Sequence, residues 1–228
     1  MINKNILRII PVMVLLTFPL HIPAQESADD IYDKAVATFW DNIYLSGGWT
    51  LYCGFKFDHT RKTEDGKIIG IEQIYPTSWM IKHLKCASRM QCHQSKNNQL
   101  IRMESDLHNM YPDWMEISRA RGDTGYGIIA GEDWRFDGCD FERKQGITEP
   151  RPDARGNIAR AIFYMKREYG LPVDEKLLTV LKTWNREDPP SEQEKQRNDK
   201  IQAAQGKRNP FIDNPALADR ISVSQPNQ

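Results

Sequence analysis

No charge of either sign prevails in this sequence: 31 Lys and Arg stand against 31 Asp and Glu over 228 residues. That balance excludes a uniformly basic chain that coats a polyanion, and an acidic one held open by self-repulsion. Cysteine is scarce, at four, and histidine hardly less so, at five. Beyond residue 24 no apolar run approaches the length of a membrane span. Glycine (14) and proline (13) are too few for a low-complexity or collagen-like chain. What remains, 39% hydrophobic and 27% charged, is the make-up of a globular protein long enough for one sizeable core.

The start of the chain reads differently from the rest. Lys4 and Arg8 lead into an apolar stretch that closes at Ala24, before polar Gln25 and Glu26. Residues 1–24 are read as a secretory signal peptide cleaved near Ala24. A membrane anchor is the rival, but Pro11, Pro19 and Pro23 interrupt a run already short for a span of ~20 residues. The mature chain is therefore expected in the periplasm or outside the cell, free of the membrane and monomeric. An oxidising compartment makes Cys53, Cys86, Cys92 and Cys139 candidates for two disulfides, with three pairings open. Cys86 with Cys92 closes a small loop and leaves Cys53 with Cys139. A zinc site from His83, Cys86, Cys92 and His93 is the alternative, at a spacing that fits no common finger or ribbon.

Periodicity predicts an α+β fold in a single domain, residues 25–215, with 216–228 a mobile tail. Asp29 or Asp30 caps a helix to about Tyr44, with Ile31, Ala35, Phe39 and Ile43 on one face. Alternation over Trp49–Phe57 and the β-rich run Lys67–Tyr75 predict strands. Residues 110–150 read as long surface loops around a short helix near 113–119. A helical C-terminal half follows, with Asp153, Asp174 and Ser191 as cap candidates. Asn209-Pro210-Phe211 opens an irregular end.

Neutral overall, the chain is strongly patterned along its length. Gln73–Met103 holds no acid but has Lys82, Lys85, Arg89, Lys96 and Arg102. Glu104–Glu142 carries ten acids against Arg119, Arg121 and Arg135. Arg143–Arg167 is basic again. Basic blocks could hold a polyanion backbone while carboxylates hold a metal; solvated surface with scattered ion pairs is the plainer account. Arg155 and Arg160, five apart at a helix start, suit phosphate contact or pairing with the acidic block equally.

Five segments bear on that choice: Leu51-Tyr52-Cys53-Gly54, Glu72-Gln73-Ile74-Tyr75-Pro76, Met103-Glu104-Ser105-Asp106-Leu107-His108-Asn109, Arg155-Gly156-Asn157-Ile158-Ala159-Arg160 and Gln205-Gly206-Lys207-Arg208-Asn209-Pro210-Phe211. In this order and spacing, over roughly residues 49–213, they resemble the endonuclease I family. Those are exported bacterial nucleases, non-specific for DNA and often RNA, with a ββα-metal active site. The resemblance implies a ββα-metal core here and hydrolysis of phosphodiester bonds on one divalent cation of the Mg²⁺ type.

Site residues carry over by position. The family's strand ends in Glu-His, two apolar residues and Pro; its Glu binds the ion and its His activates water. Here the Glu is Glu72, and the His position holds Gln73. Arg89, three residues before Cys92, matches the arginine that stabilises the phosphate. Glu104 matches the Glu of the Met-Glu-x-Asp-Leu-His-Asn motif and is a candidate catalytic carboxylate or a support for the metal site. The second metal ligand, an Asn on the short helix, falls on Ser118. Arg121, three residues beyond, matches the arginine expected on phosphate.

Two central groups therefore differ from the family. An imidazole takes a proton near neutral pH and an amide does not; losing a general base typically costs ~10²–10⁴ in rate. Serine offers a shorter oxygen donor than Asn, which Mg²⁺, with its retained waters, tolerates. The reading is thus an endonuclease of reduced activity. Its alternative is a degenerate relative that binds nucleic acid or an envelope component without cutting. Asp106 and Asn109 are expected to cap a turn, His108 to be scaffold, and Trp79, Trp114, Trp134 and Trp184 to be core.

Overall fold

The computed structural model describes residues 27–95 and 98–223. The expected leader, 1–24, and the last residues of the expected tail lie outside that range.

The first helix, α1 (Ala28–Thr38), runs on into a π-turn at Phe39–Ile43. Its cap is Ser27, not Asp29 or Asp30: Ser27 Oγ accepts from Asp30 N, and the Asp30 carboxylate reaches back to the Ser27 N–H, a capping box. Trp49–Phe57, expected as one strand, is two short ones, β1 (Gly48–Trp49) and β2 (Lys56–Phe57), paired antiparallel. The chain turns between them, and Thr50 Oγ1 accepts from Phe55 N. Local alternation reported burial there, but Gly54 at φ +67° permits the turn instead.

β3 (Ile69–Gln73) is the strand expected from the isoleucine-rich run. Three short helices follow: α2 (Thr77–His83), α3 (Arg89–Ser95) and α4 (Gln99–Glu104). β4 (Met110–Trp114) then returns antiparallel to β3, placing Glu72 opposite Tyr111 and Gln73 opposite Met110. It leads directly into α5 (Met115–Arg121), which completes a ββα unit. Ile69 and Met110 face a smaller core with Phe39, Trp40 and Ile43; Ile74, Tyr111 and Ile117 face the main one. The 110–150 segment carries more order than expected: β5 (Gly125–Tyr126), β6 (Phe141–Lys144) and β7 (Ile147–Pro150) form a three-stranded sheet.

The main core is organised by α6 (Pro152–Tyr169), in which Ile158, Ile162 and Met165 are buried as their spacing predicts. Pro152 occupies the first turn, where its missing N–H costs nothing, so Asp153 sits inside the helix start and is not the cap. Gly156 is required by contact: a Cβ there would lie 1.9 Å from the Asp188 carbonyl oxygen. α7 (Glu175–Glu187) and α8 (Glu192–Gln205) are capped by Asp174 and Ser191 as expected. Ser191 makes only half of a capping box, because the Glu194 carboxylate is taken by Arg160. The expected irregular end is built: Asn209 caps α9 (Pro210–Asp213), and a 3₁₀ turn at Pro215–Arg220 buries Ala218. Chain beyond residue 216 is thus docked as far as Arg220.

Disulfides join Cys53 to Cys139 and Cys86 to Cys92, which removes the zinc alternative. No helix among the described residues is long and apolar enough to cross a membrane.

Candidate active site

The ββα unit carries its polar residues to one place. β3 ends with Glu72 and Gln73, α2 opens with Thr77, and α5 lies alongside with Ser118 and Arg121. A cleft of about 390 Å³ opens here, lined by Tyr32, Glu72, Gln73, Arg89, Glu104 and Arg121 among others. Four of the residues expected from the sequence on the Glu72–Glu104 stretch, Glu72, Gln73, Arg89 and Glu104, therefore line one cleft.

Glu72 is 5% exposed, and burial raises its pKa, against Arg121, Ser118 and Tyr52, which lower it. Both of its hydrogen bonds fall on Oε1, from Tyr52 Oη at 3.1 Å and Arg121 Nη1 at 3.2 Å. Ser118 stands near enough to favour the charged carboxylate, yet its buried Oγ completes no hydrogen bond among the described residues. A carboxylate with a buried hydroxyl beside it is a hard oxygen donor pair of the kind Mg²⁺ takes.

Arg121 is placed differently from a phosphate contact. It is 1% exposed and donates to the carbonyl oxygens of Gln73, Gly122 and Ile74 as well as to Glu72. Burial works against its charge, but Tyr126, Tyr52 and Glu72 outweigh that and hold it protonated. Its work is internal: it ties the end of β3 to the end of α5 and balances Glu72. Arg155 is not part of the cleft wall; it bonds Glu149 Oε1 at 2.7 Å and the Pro150 carbonyl. Arg160 is wholly buried against Glu194.

Arg89 is the open cation. Its Nε donates to Glu104 Oε1 at 2.8 Å, while nearly half of the side chain stays exposed beside the cleft. The Glu104 carboxylate is 1% exposed and is shared with His93, whose Nε2 lies 3.0 Å from Oε2. Gln73 is fixed at both ends: Nε2 donates to the Glu104 carbonyl oxygen at 2.9 Å, and Oε1 accepts from Thr77 Oγ1 at 2.6 Å.

Other expectations divide. Asp106 caps the turn through His108 N and also accepts from Tyr164 and Tyr169. Asn109 caps nothing; its amide pairs with both backbone groups of Tyr75 and extends the β3–β4 ladder by side chain. His108 is scaffold, with Nε2 on the Lys207 carbonyl. Trp184 is core, Trp79 and Trp114 are partly buried against it, and Trp134 is exposed. The acidic block gathers Glu132, Asp140 and Glu142, none of them on the cleft wall.

Sequence reading missed Tyr52, Tyr126 and His93. Tyr52 stood inside a quoted motif, but only the fold shows its hydroxyl under Glu72. His93 had a usable signal, since it falls four residues after Arg89 on one helical face.

A buried carboxylate and an exposed guanidinium lining one polar cleft on a ββα unit are a setting suited to phosphate esters. The Endonuclease I family profile matches residues 29–216. The chain belongs to the endonuclease I family, and is a nuclease, a phosphodiester hydrolase. It is 29% identical to the extracellular deoxyribonuclease of Aeromonas hydrophila, over 88% of this chain and 96% of that one. With the periplasmic deoxyribonuclease of the same organism the identity is 28%, over 87% and 92%. The extracellular ribonuclease of Bacillus amyloliquefaciens is 32% identical over 51% of this chain and 46% of its own.

Proposed function

We propose that this protein is an exported, monomeric, metal-dependent endonuclease that hydrolyses DNA, and RNA secondarily, without reading sequence. The observation that carries this is the buried Glu72 carboxylate lining one cleft with the exposed Arg89, and the buried Ser118 hydroxyl beside Glu72. Near-full-length similarity to two deoxyribonucleases supports DNA as first substrate; the ribonuclease likeness covers half the chain. Extracellular and periplasmic relatives, with two disulfides, support export.

Glu72 and Ser118 would hold one divalent cation, of the Mg²⁺ type. When bound, such an ion supplies charge neutralisation at the phosphoryl group and acidifies a water. Arg89 meets the phosphate with its terminal amino groups and steadies charge as the P–O bond breaks. Tyr52 and Arg121 fix the Glu72 carboxylate, and Glu104 aims Arg89. Backbone contacts of this kind carry no sequence information. Gln73 cannot accept a proton at neutral pH and has both ends of its amide engaged, so turnover is slow beside a relative with histidine there.

The tethered Gln73 also favours a second reading, a protein that holds nucleic acid without cutting it. Nicking of supercoiled plasmid by the mature protein, with Mg²⁺ and with EDTA, decides between them. Metal-dependent nicking abolished by Glu72→Ala supports the enzyme. Gel-shift binding with no nicking supports the binder.

A further inference from the structure

The contact between Arg89 and Glu104 is lopsided. A guanidinium beside a carboxylate commonly pairs as a two-pronged fork, with two N–H groups on two oxygens. Here Arg89 gives Glu104 only its Nε, at 2.8 Å on Oε1. The other oxygen, Oε2, is occupied by His93 Nε2 at 3.0 Å. Arg89 and His93 are one turn apart on α3, so the two side chains descend side by side onto one carboxylate. Glu104 is buried and cannot turn to solvent for a replacement partner, while the His93 side chain is 13% exposed.

We infer that His93 is a positioning residue for substrate phosphate: it holds Oε2 of Glu104 and so keeps both terminal amino groups of Arg89 free for the DNA backbone. This rests on the reading of Arg89 as the phosphate ligand. Without His93, the buried oxygen loses its partner, and the Arg89 guanidinium, already bonded to the other oxygen of the same carboxylate, is a donor at hand. The fork then closes, and the donors meant for phosphate are spent inside the protein. A carboxylate with one neighbour becomes a competitor of the substrate; with two it becomes a holder.

Binding separates this role from catalysis. The affinity of the mature protein for a short fluorescent DNA duplex is measured by anisotropy, in EDTA, over a range of salt. His93→Leu, which fills the space and donates nothing, is expected to weaken binding about tenfold. It is also expected to flatten the log Kd against log salt plot by about 0.9, the loss of one phosphate contact. His93→Gln, whose amide can donate to Oε2, recovers most of both. In an Arg89→Ala background, His93→Leu has no further effect.

Wild-type affinity and slope in His93→Leu overturn the inference, as does a loss that persists in the Arg89→Ala background. Should Arg89→Ala itself leave affinity and slope unchanged, the phosphate role of Arg89 falls, and the inference with it. Circular dichroism identifies a variant that has not folded; if His93→Leu is one, Arg89→Ala/His93→Gln against Arg89→Ala, and His93→Gln against wild type, carry the comparison. His93→Gln weaker than wild type by tenfold then counts against the inference.

Discussion

The Tyr52 hydroxyl lies 3.1 Å from Oε1 of Glu72 and 2.7 Å from the hydroxyl of Tyr126, with all three groups buried. The Glu72 carboxylate is therefore held by the Tyr52 phenol, itself braced by Tyr126, as well as by Arg121. Tyr52→Phe keeps the ring and removes the donor. Its expected effect is a fall in nicking rate of about tenfold, with circular dichroism unchanged. A wild-type rate would remove Tyr52 from the account of the site.

Gln73→His restores an imidazole to the end of β3. The side chain starts from a place already fixed by the β3–β4 register, opposite Met110. The nicking rate should rise by about 10²-fold, and a dependence on pH near an ordinary histidine pKa should appear. If the rate does not move, position 73 is not where a proton is taken.

Arg160 and Glu194 form an ion pair with neither side chain exposed, their Nε–Oε1 distance being 2.8 Å. Removing one partner leaves the other charged in the core. Glu194→Ala should lower unfolding stability by roughly 3–5 kcal/mol in urea titrations. The double change Arg160→Met with Glu194→Leu should recover most of it. Equal losses for both variants would mean that the packing matters more than the charge.

His108 gives the acid limb of stability. Burial, set against the neighbouring Asp106, lowers its pKa to about 4, and Nδ1 is buried with no hydrogen bond. In the unfolded chain the ring binds its proton near pH 6.5, so the unfolded state binds more protons between the two values. Stability is fully present above about pH 6.5 and falls as pH drops toward 4, by up to ~3 kcal/mol. His108→Gln keeps a donor for the Lys207 carbonyl and should flatten that limb. A curve of unchanged slope would assign the acid loss to other groups.

Part of the cleft could be approached in advance because its residues lie in short motifs at strand and helix ends: Glu72, Gln73, Arg89 and Glu104, singled out through the resemblance to the endonuclease I family, line one cleft. Arg121 could not be read so. An arginine is placed outside by default, and only the packing of α5 against the end of β3 supplies the carbonyls that take it in. The break between β1 and β2 was equally hidden, since alternation over Trp49–Phe57 reports burial on one side and says nothing of a turn. Asn109 imitates a strand residue, a use that neither propensity nor pattern encodes. The C-terminal helices were legible because capping and apolar spacing agree there, at Asp174 and Ser191.

Arg89 is the midpoint of the ring closed by Cys86 and Cys92. Its helix, α3, is two turns long and buries only Cys92, too little to stay wound unaided. The covalent ring therefore does for this segment what length does for a longer helix. It limits the wandering of the Arg89 backbone before any substrate arrives. A phosphate reaching the cleft meets an arginine whose backbone was already restrained when the disulfide formed, and less of the binding free energy is lost in ordering that backbone.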